Sequence, residues 1–413
     1  MRSEWKNKKI GDVVDIRRGA SPRPIQNFLS KTGMPWVKIA DATGDPTRFI
    51  QKTNECIIEE GISKSVKVEP ETLIVSNSAT PGLPKIMKIQ ACVHDGWLVF
   101  SNYRGVLRDF LYYKFIDIRR QLVNQANGSV FQNLKTDIVR AFDIDLPPIE
   151  EQHKIVDLLT SIDLKIETNI KINDNLEQQA QVLFRSWFIN FEVYGGSMPM
   201  DWKVVPFEEV ADFQNGYAFK SKELLSAPES KTYKVFKQGH ICRGGGFNIE
   251  GTKSWYPRSK AEKLQKFVLH KGDILMAMTD MKNNVAILGN TALMPYDEEY
   301  ILNQRVGLLR PKINTGITYP FLYLLTNSED FLKDLRSRAN SGVQVNLSAS
   351  EIKFSQTILA PKEINEKFSE IVVPMYEKIM QNQLENQKLK ELRDSLLPKL
   401  MLGEIDVSDV NFV

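Results

Sequence analysis

The chain has 413 residues, well beyond the roughly 150-residue scale of one domain, so two or more structural units are expected. Its 42% hydrophobic and 25% charged residues read as folded globular protein rather than a disordered chain. Three cysteines (Cys56, Cys92, Cys242) and four scattered histidines exclude a disulfide scaffold and a Cys/His-rich metal site, and a net charge of +3 by itself argues for no polyanionic partner.

In chain order, the start MRSEWKNKKIGDVV lacks an apolar leader, and no stretch approaches 18 apolar residues. A soluble, cytoplasmic protein is expected. Short apolar or alternating runs follow at Thr72–Val75 and Gly96–Phe100, punctuated by turn residues such as Thr80-Pro-Gly, which predicts a strand-rich α/β segment over 1–147. After Pro148 a Glu-rich turn opens a helical segment, 148–190, as suits a helix N-terminus. Tyr194-Gly-Gly-Ser-Met-Pro199 reads as a linker. A second strand-rich segment, 191–359, carries the runs Ile274–Met278 and Val306–Leu309, and a second helical segment with the C-terminal tail occupies 360–413.

The two halves are copies. Asn127–Pro148 (NGSVFQNLKTDIVRAFDIDLPP) aligns without a gap with Asn340–Pro361 (NSGVQVNLSASEIKFSQTILAP) at an offset of 213, and the register runs on through Leu183/Leu396. Upstream, Trp5-Lys6 matches Trp202-Lys203 and Gly19 matches Gly216 at an offset of 197. The second copy is therefore longer by insertions in its middle.

Heptad stepping through the helical segments gives Ile155, Leu159, Ile162, Ile166, Asn169, Asn173, Leu176 and, after Ala180, Leu183. In the second copy it gives Phe368, Val372, Met375, Ile379, Asn382, Asn386, Leu389 and, after Arg393, Leu396. Mostly apolar seams predict two long coiled-coil-like helices. The paired asparagines in both middles are read in two ways: a seam turned out to solvent, or a buried cluster fixing the register of an antiparallel pair about a pseudo-twofold axis. Pro374 is expected to kink the second helix or mark its start. At ~1.5 Å per residue a helix over 363–397 would span roughly 52 Å.

Catalytic signatures are missing. The sequence has no GxxxxGK[ST] loop, no GxGxxG after a strand, no [ND]PP[YF] motif and no arguable Ser/His/Asp set. The triplets Glu229-Ser-Lys231 and Asp280-Met-Lys282 resemble nuclease acid-x-Lys elements but lack an evident acidic partner. No resident cofactor or metal is expected. Charge is uneven: the four segments carry +6, −3, +3 and −3 in order, so the strand-rich parts are basic and the helices acidic. Candidate DNA-binding residues lie in polar loops: Arg17, Arg18, Ser21 and Arg23; Asn127, Ser129, Gln132 and Asn133; Asn215, Tyr217 and Lys220; Arg243; Asn340, Ser341, Gln344 and Asn346. Arg and Lys pair with phosphates or guanine edges, while Asn and Gln suit adenine. Turn-forming roles for the Asn and Gly residues are equally consistent with the sequence.

DLPPIEEQHKIVDLL (Asp145–Leu159), its copy LAPKEINEKF (Leu359–Phe368), SLLPKLMLGEID (Ser395–Asp406) and the opening segments EWKNKKIGDVVDIRRG and DWKVVPFEEVADFQNG together resemble the specificity subunits of Type I restriction–modification systems. The likeness covers essentially the whole chain. The second copy departs at Ala360 and Ile364-Asn365, where Pro and Glu-Gln are usual, and this puts its partner contacts in doubt. The resemblance implies two α/β target recognition domains, one per half of a bipartite double-stranded DNA site. Two antiparallel helices would set the gap and dock two methyltransferase subunits, with restriction subunits completing the complex. S-adenosylmethionine and ATP/Mg would belong to those partners. A self-contained restriction or methylation enzyme and a coiled-coil scaffold without a DNA role are the alternatives.

Overall fold

The computed structural model describes residues 4–126, 133–281, 285–339 and 344–407. It divides into two compact units, Met1–Thr168 with Asn386–Val413, and Asn169–Glu385. Each unit holds a strand-rich part and half of each long helix. In the first unit one five-stranded sheet runs Asp15–Arg18, Trp97–Ser101, Leu73–Ser76, Pro84–Met87, Phe49–Ile50. A second five-stranded sheet stands beside it. The second unit has a four-stranded sheet in the order Ala211–Asn215, Val306–Pro311, Ile274–Ala277, Thr291–Leu293, and a three-stranded sheet around Thr232–Phe236. The strands expected at 72–75, 96–100, 274–278 and 306–309 all form, within a residue or two of those limits.

The duplication is written into the pairing. Lys6 opposes Leu146 in one unit and Lys203 opposes Leu359 in the other, and both pairs match by the sequence offsets. Arg18 opposes Leu98 as Asn215 opposes Gly307. Trp97 opposes Ser76 as Val306 opposes Ala277. These equivalences locate the extra length of the second copy. The net gain is four residues before Ala277, eight between it and Val306, and four after.

The long helices span Ile149–Phe184 and Lys362–Met401, starting directly after Pro148 and Pro361. Pro374 neither starts nor ends the second helix. It lies exposed within a continuous 40-residue element, where its missing N–H removes one hydrogen bond from the ladder. Inside each unit the two helices run antiparallel. In the first, Asp163 meets Arg393 and Ile166 meets Asn386; in the second, Asn169 meets Glu385 and Asn173 meets Asn382. Every seam position is buried or half-buried. The deepest residues also include Phe184, Tyr376, Met380 and Leu400, each at most 2% exposed. A helix that packs against both its partner and a globular part needs an apolar stripe wider than a heptad seam.

The seam asparagines lie inside. Asn169, Asn382 and Asn386 are buried and Asn173 is half-buried. Asn173 Nδ2 donates to the Ile379 carbonyl at 3.4 Å, and Asn386 Nδ2 donates to the Ile166 carbonyl at 3.3 Å. These are the same bond in the two copies. A side-chain amide aimed at a main-chain carbonyl of the neighbouring helix is satisfied only in one register.

Gln152, fully buried, ties the first helix to the chain before it. Its Nε2 donates to the Gly105 and Pro147 carbonyls at 3.0 and 2.9 Å, and its Oε1 accepts the Leu107 N–H at 2.9 Å. Asn365 is its counterpart. It donates to the Thr315 and Ala360 carbonyls at 2.9 and 3.1 Å, but its buried Oδ1 has no partner among the described residues. One methylene is missing, and one of the three bonds goes with it. The Gln/Asn difference at this position is thus internal to each fold and not a surface contact with another subunit. Gln152→Ala leaves the Leu107 N–H unpaired and is expected to destabilise the first unit by about 1–3 kcal/mol in denaturant unfolding.

Candidate nucleic-acid interface

In the first unit four segments meet at the end of the sheet that contains Asp15–Arg18. A Cβ on Gly19 would stand 2.1 Å from the His94 carbonyl oxygen, so only glycine lets the Arg17–Arg23 loop lie against the His94–Gly96 turn. The Gly19 N–H donates to the Trp97 carbonyl and the Ala20 N–H to the Val93 carbonyl; Asn77 N–H reaches the Gly96 carbonyl, and the Asn77 carbonyl accepts the Leu134 N–H. The Arg-rich loop, the His94–Gly96 turn, Asn77 and the Asn133-Leu134 segment therefore form one cluster.

The second unit repeats it. A Cβ on Gly216 would lie 2.1 Å from the Asn303 carbonyl oxygen. Tyr217 N–H donates to Leu302, Gln304 N–H to Tyr217, Met278 N–H to Arg305, and Leu347 N–H to the Met278 carbonyl. Met278 stands where Asn77 stands, and Asn303-Gln304-Arg305 where His94-Asp95-Gly96 stands. The backbone frame is shared, with Gly19/Gly216 and Asn133-Leu134/Asn346-Leu347 kept, while Asn77/Met278 and the three turn residues differ.

Asp95 organises the first cluster. Ser21 Oγ donates to its Oδ1 at 2.7 Å, Arg23 Nη2 reaches Oδ2 at 3.2 Å, and Arg18 Nη2 stands 3.8 Å from Oδ2. Arg18 Nε also donates to the Asp95 carbonyl at 2.7 Å. Partial burial pushes the Asp95 carboxyl up, but the Ser21 hydroxyl, its own main-chain N–H and the positive charge of His94 and Arg18 outweigh this and hold it below the ordinary carboxylate value. Burial lowers the neighbouring His94, against the pull of Asp95. Arg18 and Arg23 remain 57% and 78% exposed, so both are held yet open to a ligand.

Among the candidates in the first unit, Arg18, Ser21 and Arg23 converge on Asp95. Arg17, the preceding residue on the strand, points to the opposite face and donates to the Lys67 carbonyl. Asn133 is exposed beside Leu134. Asn127, Ser129 and Gln132 lie outside the described residues, as do Asn340 and Ser341. In the second unit Asn215 and Asn346 are exposed. Gln344 begins the strand Gln344–Asn346, which pairs with Thr279–Met281. Tyr217, half-buried, packs its ring 4.9 Å from Phe219 and 5.4 Å from Phe267 at the edge of a hydrophobic cluster. Lys220 is exposed, its N–H held by Glu223. Arg243 is exposed in the Cys242–Gly246 loop, whose Gly246 N–H donates to Thr291 rather than to any member of the Gly216 cluster. Asp95, Asn77, Gln304 and Arg305 were not singled out by sequence. The one available signal was their place at the ends of the strands that face the matched glycines.

Asp280, half of an acid-x-Lys triplet, has a structural role. Its Oδ2 accepts the N–H groups of Ala286, Ile287 and Leu288 at 2.7, 2.7 and 3.2 Å, and Oδ1 accepts that of Met281 at 2.8 Å. Burial opposes ionisation, but these donors hold the carboxyl below its ordinary value. Its lone pairs are committed to the backbone. Glu229 and Lys231 sit on an exposed turn. No helix among the described residues is long and apolar enough to cross a membrane.

Residues 2–178 and 199–393 each match the family described as Type I restriction modification DNA specificity domain. The chain is 26% identical to the Type I restriction enzyme MjaIX specificity subunit of Methanocaldococcus jannaschii, over 98% of this chain and 95% of the relative. It is 24% identical to the HindI specificity subunit of Haemophilus influenzae, over 98% and 100%. The crystal structure of the Type I S subunit from M. genitalium shares its fold with a TM-score of 0.59 at 17% identity, covering 96% of each chain.

Proposed function

This chain belongs to the Type I restriction–modification DNA specificity family, and from that premise we propose that its two units read the two halves of a bipartite double-stranded DNA site. The observation that carries this reading is the repeated loop cluster. One backbone frame presents Arg18 and Asp95 in the first unit and Asn215 and Gln304 in the second. A frame held constant while its outward side chains change is what reading two different half-sites requires, because base edges are distinguished by side-chain donors and acceptors.

The long helices then set the gap between half-sites and dock two methyltransferase subunits, and restriction subunits join the assembled complex. The helical segments each carry a net charge of −3, which repels phosphate and favours protein contact. Methyl transfer from S-adenosylmethionine and ATP/Mg-driven restriction take place in those partners, in the cytoplasm, and this chain supplies no catalytic group.

Phosphate contacts predict that DNA affinity falls steeply between 50 and 200 mM salt, by about a thousandfold if six phosphates are neutralised. Titration of the purified chain, alone and with its methyltransferase, measures this. Flat salt dependence would remove the DNA role and leave a scaffold. Cleavage or methylation by the chain alone, with DNA, Mg²⁺ and S-adenosylmethionine, would make it an enzyme. Inserting one heptad in each helix is expected to lengthen the gap in the modified sequence.

A further inference from the structure

The turn leading into the Trp97 strand in the first unit, and into the Val306 strand in the second, differs between the copies at all three positions, His94-Asp95-Gly96 against Asn303-Gln304-Arg305. In the first unit it carries Asp95, whose carboxylate holds Ser21 and Arg23 and stands near Arg18. In the second it carries Gln304 and Arg305, both exposed. Their backbone is fixed: Gln304 N–H donates to Tyr217, the Arg305 carbonyl accepts from Met278, and Val306 N–H donates to Asn303. Arg305 N–H also reaches Asn303 Oδ1 at 3.4 Å. A rigid turn ending in two exposed side chains with long donors is suited to direct contact. Amide and guanidinium groups are the ones that make bidentate bonds to adenine and guanine edges. In the first unit the chemistry differs. There the turn presents a carboxylate that would repel phosphate, while it aims two arginines.

We infer that this turn is a specificity-determining element in both units. Gln304 and Arg305 contact base edges of one half-site, and Asp95 is a positioning residue that fixes Arg18 and Arg23 for the other. The inference rests on the proposed DNA-reading role. Asp95 restricts the two guanidiniums to one arrangement and screens them from indiscriminate phosphate pairing. Removing its charge releases Arg23 and loosens Arg18, which keeps its bond to the Asp95 carbonyl, so discrimination falls while non-specific affinity rises.

The test uses the full chain assembled with its methyltransferase subunit, and maps modified sites by sequencing together with affinity for random-sequence duplex. A wild-type complex that yields no bipartite motif would overturn the DNA-reading role itself, an outcome distinguishable from any effect of the variants. Given a wild-type motif, Gln304→Ala with Arg305→Ala is expected to lose about ten- to a hundredfold of discrimination at one or two positions of a single half-site. Asp95→Asn is expected to relax the other half-site alone, with random-duplex affinity raised severalfold. Arg305→Lys keeps the charge without the planar fork, so relaxed reading in this variant supports a base contact. An unchanged motif in the double alanine or the Asp95→Asn variant, full retention of specificity in Arg305→Lys, or equal loss in both halves would overturn the inference.

Discussion

Replacing Asp163 with alanine is expected to destabilise the first unit by about 1–3 kcal/mol, because it takes a buried acceptor from Arg393 and from the Tyr113 hydroxyl, while Arg48 keeps Glu167 and Arg393 keeps Asp394. Asp163, with its side chain 4% exposed, accepts Arg393 Nη1 at 2.9 Å and Tyr113 OH at 2.6 Å, and lies 3.9 Å from Arg48 Nε. Arg48 also pairs with Glu167 at 3.1 Å. Burial opposes the charge on both arginines, yet the surrounding acidic and phenolic groups raise them above their ordinary value. This network joins the strand-rich part to both helices inside one unit. Denaturant unfolding of the full chain, followed by a probe in the first unit, measures the loss. The double variant Asp163→Ala with Arg393→Ala is expected to lose less than the two single losses added together, because the two side chains share one bond.

At the matched positions of the second copy the side chains carry no charge. By the same offset, Asp163, Glu167 and Arg393 correspond to Tyr376, Met380 and Ala180, all buried. The Tyr376 hydroxyl has no partner among the described residues. Tyr376→Phe is therefore expected to be neutral or slightly stabilising, since it removes an unsatisfied polar group and keeps the ring.

His240 predicts a pH effect confined to the second unit. Its ring is fully buried and stacks 4.7 Å from Phe236; Nδ1 accepts the Lys237 N–H at 3.0 Å, which leaves Nε2–H to donate to Thr252 Oγ1 at 2.9 Å. Burial, and then the charges of Lys237 and Lys234, push its pKa down to about 4 from 6.5. Above pH 6.5 the ring is neutral in both the folded and unfolded states. As pH falls from 6.5 towards 4, the unfolded chain binds a proton that the folded chain refuses, so stability is lost. The loss reaches about 3 kcal/mol near pH 4. The difference in unfolding free energy between wild type and His240→Gln, followed from pH 7 to 4, isolates this contribution from the carboxylates. A difference that does not change with pH would assign His240 no such role.

Much of the architecture was legible because it rests on periodicity and repetition. The strands near 73, 97, 274 and 306 alternate or run apolar between turn residues, and the helices begin where Pro148 and Pro361 are followed by glutamates. The seam positions followed from heptads, and the matched Gly19 and Gly216 marked the frame of the cluster. Less legible were residues whose role depends on another chain segment. Asp95 looks like any turn aspartate until Ser21 and Arg23 are seen to meet it across more than 70 residues. Tyr217 reads as a loop residue, but its ring packs beside Phe219 and Phe267, the latter 50 residues away in the chain. The Gln152/Asn365 difference suggested a surface change and proved to be an internal bond gained or lost by one methylene.

The sequence by itself determined the duplication, the two helices, the α/β character of the halves and the family resemblance, because these are carried by local pattern and by comparison of the chain with itself. Tertiary structure alone decided which way the asparagine seam faces, where the extra length of the second copy falls, and which side chains gather at the repeated turn. Those outcomes depend on contacts between segments distant in sequence, and the free energy of a buried amide or carboxylate is fixed by the partners that the folded chain brings to it.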